Sequence, residues 1–332
     1  MLRMIVLSIF TLVVVLSSVW SVLALWFQLP WPTPARIAVA GCWILLALAS
    51  LWLAWSGRHW SGAGTYVLMF AVLMLWWGRL EPSHQRQWAD DLAHITTGTV
   101  EGDQVTLEHV RNFTWRSRDD YDELWETRSY DLSRLRSVDL ITSEWGMPGI
   151  AHVLVSFGFD TGEFITFTVE IRRERNESFS AIGGFFKQFE LAVLATDEND
   201  AVRVRTNVRE EQAHIYRVSM PESAMRDLFM AYVNEANQLA SEARFYHTVT
   251  ANCTIIVYNM MRRIVDGLPL DHRLLLSARL PSYVKDVGGL QDSPLEELKE
   301  RGRFSERARN IDQAEEFSEV IRRGVPGWEG KL

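Results

Sequence analysis

The sequence predicts an α+β domain that follows three membrane-spanning helices. Three observations lead to this fold class. The first 80 residues contain four arginines and no acidic residue, and long apolar runs dominate them. In the rest of the chain, β-branched and aromatic runs come first, and a helical periodicity of apolar residues follows. Strands followed by helices around one core are typical of an α+β fold with an antiparallel sheet and packed helices.

The predicted membrane spans are the apolar runs 4–27, 37–55 and 62–78. The first run is uncharged, and it is long enough to cross a hydrocarbon layer of about 30 Å at about 1.5 Å per residue. It also exceeds the roughly 7–15 apolar residues of a secretory signal peptide, so we expect a retained anchor. We therefore divide the chain into a membrane domain, residues 1–80, and a soluble domain, residues 81–332.

The soluble domain is acidic. Removing the four arginines of the membrane domain from the 34 basic residues leaves 30 against 42 acidic residues, a net charge of −12 with histidine neutral. This balance argues against a nucleic-acid partner, because phosphate binding needs a basic face. If the first helix sets the orientation, three spans place this domain on the far side of the membrane.

Cysteine usage and motifs limit the chemistry further. One of the two cysteines, Cys42, lies in a predicted span, which argues against a structural disulfide. No paired Cys/His spacing and no phosphate-binding loop is present in the sequence, so no metal and no cofactor are expected.

The strand pattern begins with a hairpin over 99–113 that turns at Gly102-Asp103. Runs 137–145, 151–159 and 163–174 follow, separated by the turn sequences "MPG" and "DTG". Two further strand candidates are "AVRVRTNV" (201–208) and "AHIYRVSM" (213–220).

Two amphipathic helices come after these strands. The first opens with Ser219 as a cap, Pro221 in the first turn and Glu222 as a capping-box acid. The second begins at Cys253 and is predicted to end at Gly267.

Cys253, in "TVTANCTII" (248–256), permits two interpretations. It shares an apolar stripe with later residues of its helix, and a cysteine in such a stripe is commonly a small core residue. The first turn of a helix, however, offers unpaired N–H groups and a positive dipole end, which favour a thiolate and can hold an oxyanion. Asn252 or Thr250 is the expected N-cap, with Asn252 and Thr254 as candidate oxyanion-site residues.

A nucleophilic cysteine needs a base, and His152 has the best position among the seven histidines of the soluble domain. It lies near the start of the apolar strand 151–159, where a hydrogen-bonded core histidine is the alternative. If Phe159 pairs with Glu163 across the "DTG" turn, Glu170 lies opposite His152 and can orient the imidazole. A slip of one residue would put Ile171 there instead.

These segments carry a family resemblance. "NCT" at the start of a helix, the earlier "GIAHVLVSFGF" and the intervening "EIRRERNESFSAIGGFF" together resemble the bacterial Lnb-type N-terminal periplasmic domain family over most of 110–285. The order of these segments is also loosely similar to circularly permuted papain-like enzymes, namely the NlpC/P60 and lecithin:retinol acyltransferase groups. The resemblance implies a papain-like, permuted NlpC/P60-like site with Cys253 as nucleophile and His152 as base. The permuted enzymes often have histidine at the position of Glu170.

Founding members of the Lnb family are associated with N-acylation of bacterial lipoproteins. The function expected first is therefore a membrane-anchored, cysteine-dependent acyltransferase that forms a thioester. Its soluble domain would lie on the periplasmic side of a bacterial inner membrane, with membrane lipid as donor and a lipoprotein as possible acceptor. Phe185 and Phe186, in "AIGGFFKQF" (181–189), are candidate lipid contacts, with core packing as the alternative.

Two other functions remain open from the sequence. The first is a cysteine peptidase or amidase that uses the same dyad on cell-wall peptides, with water as the acceptor. The second is a non-catalytic, membrane-tethered binding domain in which Cys253 is only a core residue.

Overall fold

The structure, a computed structural model, describes residues 1–311 and 316–328. The chain forms two compact units. One comprises Met1–Ser83 together with Phe179–Phe189, and the other comprises His84–Ser178 and Glu190–Leu332.

The first unit contains three helices: α1 (Leu2–Gln28), α2 (Thr33–Trp55) and α3 (His59–Gly78). Each is long and apolar enough to cross a membrane. Gly62 permits a close approach of α3 to α2, because a Cβ atom there would lie 2.5 Å from the Ser50 carbonyl oxygen. The Tyr66 hydroxyl binds the hydroxyls of Ser17 and Ser18 at 2.7 and 3.0 Å, which satisfies polar groups inside an apolar bundle.

Within the described residues, the second unit is built on a sheet of eight strands. Along it the neighbours are β1, β2, β9, β8, β7, β6 and β10, and the eighth strand, β5, also pairs with β2. Neighbouring strands are antiparallel, apart from a parallel contact between β2 and β9. The strands are β1 (Thr97–Glu101), β2 (Gln104–Arg111), β3 (Thr114–Trp115), β4 (Tyr121–Asp122), β5 (Trp125–Asp131), β6 (Leu135–Glu144), β7 (His152–Phe159), β8 (Phe164–Arg172), β9 (Glu190–Thr196) and β10 (Gln212–Arg217), of which β3 and β4 pair separately.

Helices cover both faces of this sheet, which confirms the predicted α+β class. On one face, Phe157 and Phe167 pack against Phe229 and Tyr232 of a long helix. On the other face, Leu154 packs among residues of the C-terminal helices. The helices of this unit are α4 (Glu198–Ala201), α5 (Glu222–Ser241), α6 (Cys253–Ile264), α7 (Leu280–Asp286), α8 (Leu295–Gly302), α9 (Ser305–Arg309) and α10 (Phe317–Arg322).

Three local predictions differ from the structure. The predicted strand 201–208 is helical, because α4 ends at Ala201 and a π-turn covers Val204–Val208. Its apolar residues pack against α9 and α10 instead of alternating across a sheet. The N-cap of α5 is Pro221 rather than Ser219, and α6 ends at Ile264, three residues before Gly267.

Strand β9 has no counterpart in the sequence prediction. Every residue of Glu190–Thr196 is buried, so the strand has no polar and apolar alternation to reveal it.

Candidate active site

The register of β7 against β8 determines which side chains surround His152. Gly158 pairs with Phe164 and Leu154 with Thr168, which is the register predicted from the "DTG" turn. The paired rungs end at Leu154 and Thr168, and β8 continues beyond them alongside β9, where Glu170 pairs with Ala192. The pairing of β7 with β8 thus ends before it reaches His152 and Glu170.

His152 is oriented through its Nε2 atom. This atom lies 2.6 Å from the Thr168 hydroxyl and 3.1 Å from Glu170 Oε1. The Thr168 hydroxyl itself donates to Glu170 Oε1 at 2.9 Å, so its oxygen is available to accept from Nε2–H. This pattern selects the tautomer that carries its proton on Nε2, which leaves the Nδ1 lone pair as the basic site.

The backbone that leads into β7 is also fixed. The Ala151 N–H donates to the buried Ser277 hydroxyl at 2.7 Å, and the Ala278 N–H donates to the Gly149 carbonyl at 3.2 Å. Gly149 has φ +80°, a left-handed conformation that side chains rarely adopt. These contacts fix the backbone just before β7, whose first residue is His152.

Arg205 is a functional candidate that the sequence prediction missed. It extends from the π-turn and donates through Nη2 to Glu170 Oε1 at 2.9 Å. Its Nη1 lies 3.9 Å from Glu211, which in turn accepts from Ser143 at 2.6 Å. The sequence predicts a strand over 201–208, and an alternating strand gives no sign that Arg205 lies near His152.

Burial and charge set the ionisation of this group. Burial lowers the pKa of His152 below its ordinary 6.5, and Arg205 lowers it further, against the opposite effect of Glu170. For Glu170, burial disfavours the carboxylate, yet His152 and Arg205 outweigh it and hold the pKa well below 4.5. A neutral imidazole beside an ionised carboxylate is therefore the resting state at neutral pH.

Cys253 is the first residue of α6, as predicted, and Asn252 is its N-cap. The Asn252 side-chain oxygen accepts from the N–H groups of Thr254 and Ile255 at 3.0 and 2.9 Å. The Thr254 amide is thus engaged in capping and is not open to an oxyanion. The remaining first-turn donor beside the sulfur is the N–H of Cys253 itself.

The thiol lies against the start of β7. The backbone of Val153, the residue after His152, lies close enough to the Cys253 sulfur to act on the pKa of the thiol, which it lowers. The side chain of Cys253 is partly buried and packs on two apolar clusters, one of which contains Val153. Since Leu154 and Val153 belong to clusters on opposite faces of the sheet, His152 and α6 reach the end of β7 from different sides. Among the described residues, no hydrogen bond joins the His152 ring to the Cys253 sulfur, so their pairing as a dyad stays a prediction.

The helix dipole does not make Cys253 a thiolate at rest. Burial raises the pKa of the thiol above its ordinary 9.0, and the charge of Glu170 acts in the same direction. Val153, Thr254 and Arg205 oppose this shift without reversing it. Desolvation thus outweighs the effect expected from the first helical turn, and proton transfer to a base is needed to activate the sulfur.

His247, the histidine closest to Cys253 in sequence, has a structural environment. Its backbone forms a bridge with Ala251, and its Nδ1 accepts from the amides of Val249 and Thr250 at 3.3 and 3.2 Å. These bonds shape the loop that precedes α6.

A comparison with family models matches residues 121–279 to the Lnb N-terminal periplasmic domain. This segment is an Lnb domain. It contains His152, Glu170, Arg205 and Cys253, and it extends from β4 to the turn that fixes the entry to β7. No curated protein and no solved structure matches the chain.

The Lnb domain and the three apolar helices fit a membrane-anchored protein with a periplasmic domain. Within residues 1–311 and 316–328, no three His, Cys, Asp or Glu side chains come together as metal ligands.

Phe185 and Phe186, the two candidate lipid contacts within the Lnb domain, have different environments. Phe185 is 44% exposed, whereas Phe186 is buried among aromatic rings of α1 and α3.

Proposed function

We propose that this protein is a membrane-anchored acyltransferase that carries its acyl group as a thioester on Cys253. The observation that supports this most is the arrangement at the first residues of β7, where this strand no longer pairs with β8. There the Cys253 sulfur lies against Val153, while the preceding His152 is held through Nε2 by Thr168 and Glu170. A nucleophile, a base and an orienting carboxylate are the three parts of a thiol acyl-transfer site.

In the first step, His152 Nδ1 takes the thiol proton as the sulfur attacks the carbonyl carbon of a lipid ester. The Cys253 N–H donates to the developing oxyanion. The tetrahedral intermediate then collapses, the ester C–O bond breaks, and the imidazolium gives its proton to the leaving alkoxide oxygen, which becomes the hydroxyl of the lysolipid. The product is a thioester on Cys253 and a lysolipid.

The second step transfers the chain to an amine, in keeping with N-acylation of lipoproteins. The amine attacks the thioester carbon and loses a proton to His152, the C–S bond breaks, and the sulfur is protonated again. Glu170 stabilises the imidazolium that forms in both steps, because the carboxylate stays ionised through the cycle.

The membrane anchor supports a lipid donor. Moving an acyl chain out of a bilayer costs about 0.8 kcal/mol per CH₂ group, so an enzyme that uses such a donor gains by working at the membrane surface. We place the enzyme in a bacterial inner membrane with its Lnb domain on the periplasmic side. We also propose that the domain is related to the papain-like enzymes and that a lipoprotein is the acyl acceptor.

The test uses the full-length protein in vesicles that contain phospholipid with a radiolabelled acyl chain. We expect a protein-bound label that hydroxylamine releases, since hydroxylamine cleaves thioesters. Cys253→Ala should abolish this label, and Cys42→Ala should retain it, because Cys42 is the other cysteine of the chain and lies in α2.

Three results would contradict the proposal. If the Cys253→Ala variant still gains the label, the acyl group is not carried as a thioester on Cys253. Absence of label together with cleavage of cell-wall peptides would favour the amidase. If Cys253→Ala changes neither stability nor any activity, the domain is a non-catalytic binding module.

A further inference from the structure

Residues 179–189, the last part of the connection from β8 to β9, belong to the same compact unit as the three apolar helices. Their main chain makes a compact turn. Gly184 N–H donates to the Ser180 carbonyl, Phe186 N–H to the Gly183 carbonyl, and Gln188 N–H to the same carbonyl at 3.2 Å. A segment that satisfies its own backbone groups can enter an apolar environment at low cost.

Polar contacts fix this segment to the C-terminal ends of α1 and α3. The Gln28 side chain donates to the Phe186 carbonyl at 2.6 Å. Lys187 donates to the carbonyls of Trp77 and Leu80 at 3.0 and 3.2 Å, and its ammonium lies 5.0 Å from the centre of the Trp77 ring. Since α1 and α3 end together here, the contacts lie where two membrane helices leave the hydrocarbon.

Phe186 reaches below that level. Its ring stacks on Phe27 with centroids 5.8 Å apart and contacts Trp77 at 6.3 Å. It also contacts Trp20 at 6.1 Å, and Trp20 lies about two turns, or roughly 12 Å, before the end of α1. The segment thus runs along the bundle beside the last two turns of α1.

The exposed side chains of this segment are apolar. Phe179 and Phe185 are each 44% exposed, and Ile182 is 55% exposed. Aromatic rings and aliphatic chains of this kind enter the boundary between headgroups and acyl chains, about 5–10 Å deep.

We propose that residues 179–189 form a membrane-inserted loop whose lipid-facing side chains are Phe179, Ile182 and Phe185, and whose Phe186 anchors the loop in the helix bundle. The partner is the acyl-chain region of the bilayer. This inference uses the membrane anchoring and does not depend on the acyltransferase chemistry, because the loop would insert in an inactive protein as well.

The test uses full-length protein with Cys42→Ser and Cys253→Ser, in which a single new cysteine carries a polarity-sensitive fluorophore. Ile182→Cys is the probe. Val13→Cys on α1 is the membrane control, and Leu124→Cys in the other unit is the water control, since these side chains are 54% and 48% exposed and so match Ile182. Each protein is placed in phosphatidylethanolamine and phosphatidylglycerol vesicles and quenched with either spin-labelled lipid or aqueous iodide.

The Ile182 label should follow the Val13 label, with strong quenching by the spin-labelled lipid and weak quenching by iodide. The Leu124 label should behave in the opposite way. A label at Phe185→Cys provides a second position and should agree with Ile182. The inference is overturned if both loop labels follow Leu124 while Val13 follows the lipid. Because every protein in this series lacks Cys253, the result is independent of whether the chain transfers acyl groups.

Discussion

Single side chains at the end of β7 control the proposed chemistry. His152 is held neutral by burial and by Arg205, and its proton lies on the nitrogen that Thr168 and Glu170 bind. Cys253 is held as a thiol by burial. The pair is therefore neutral at rest, and catalysis requires a base rather than a preformed thiolate.

We expect His152→Ala to slow acyl-enzyme formation by about 10²- to 10⁴-fold, the usual contribution of a general base. The measurement is the rate at which full-length protein gains the labelled chain. His272→Ala is the control, because the His272 side chain is 72% exposed and its Nδ1 lies 3.2 Å from Asp271. Equal rates for the His152 variant and the wild-type protein would exclude His152 as the base.

Arg205 is a positioning residue in this scheme, and its effect should be visible in the pH profile. Because burial and Arg205 lower the pKa of His152, we expect the acidic limb of the rate profile to lie below pH 6.5. Arg205→Met removes one of these two effects, so the limb should move to higher pH.

Arg205→Lys is the matched control, since it keeps the charge and should keep the limb close to that of the wild-type protein. A purely structural role for Arg205 would lower the rate in both variants without moving the limb. That result would contradict the electrostatic assignment.

At the scale of secondary structure, the start of α6 determines where the sulfur lies. One side-chain oxygen of Asn252 caps two amides, and its Nδ2 donates to the Thr248 carbonyl at 2.7 Å. The cap thus joins the helix to the preceding loop and fixes Cys253 beside Val153.

Asn252→Ala should destabilise the domain by about 1 kcal/mol, the usual value of an N-cap, and should also slow acylation. Asn252→Asp keeps the accepting oxygen and should restore most of the stability. Thermal unfolding in detergent and the labelling rate measure the two effects separately. Unchanged stability in the alanine variant would contradict the capping role.

For the whole molecule, a buried charge network joins the C-terminal helix to the sheet. Arg322 on α10 donates to Asp139 on β6 at 2.9 Å and to both oxygens of Glu198 at 2.8 and 2.6 Å. Burial raises the pKa of Asp139 in spite of Arg322, whereas Arg322 outweighs burial at Glu198 and lowers its pKa. The arginine therefore compensates two carboxyl groups that have no access to water.

Arg322→Met should lower the free energy of unfolding by about 3–5 kcal/mol, because it leaves buried charges without a counter-ion. Arg301→Met is the surface control, since Arg301 is 43% exposed and forms an ion pair with Glu297, and we expect a loss below about 1 kcal/mol. Thermal or denaturant unfolding of the full-length protein distinguishes the two. Similar losses in both variants would contradict a special role for the network.

Features that depend on short spacing along the chain follow from the amino-acid sequence alone. Apolar length predicted the three long helices, period-two runs predicted β6, β7 and β8, and the "DTG" turn predicted the register of β7 against β8. The start of α6 at Cys253 also followed from local capping and periodicity. In each case the signal lies within a few residues of the feature.

Features that depend on residues far apart in the chain arise only from the tertiary structure. Arg205 meets Glu170 because 201–208 is helical and packs against the C-terminal helices, and the strand β9 is hidden by its uniform burial. The state of the thiol was also decided at this level. Local geometry favours a thiolate in a first helical turn, but burial contributed by several elements raises the pKa above that of a free cysteine. Desolvation depends on everything that surrounds a group, and neighbours in sequence are only a small part of that.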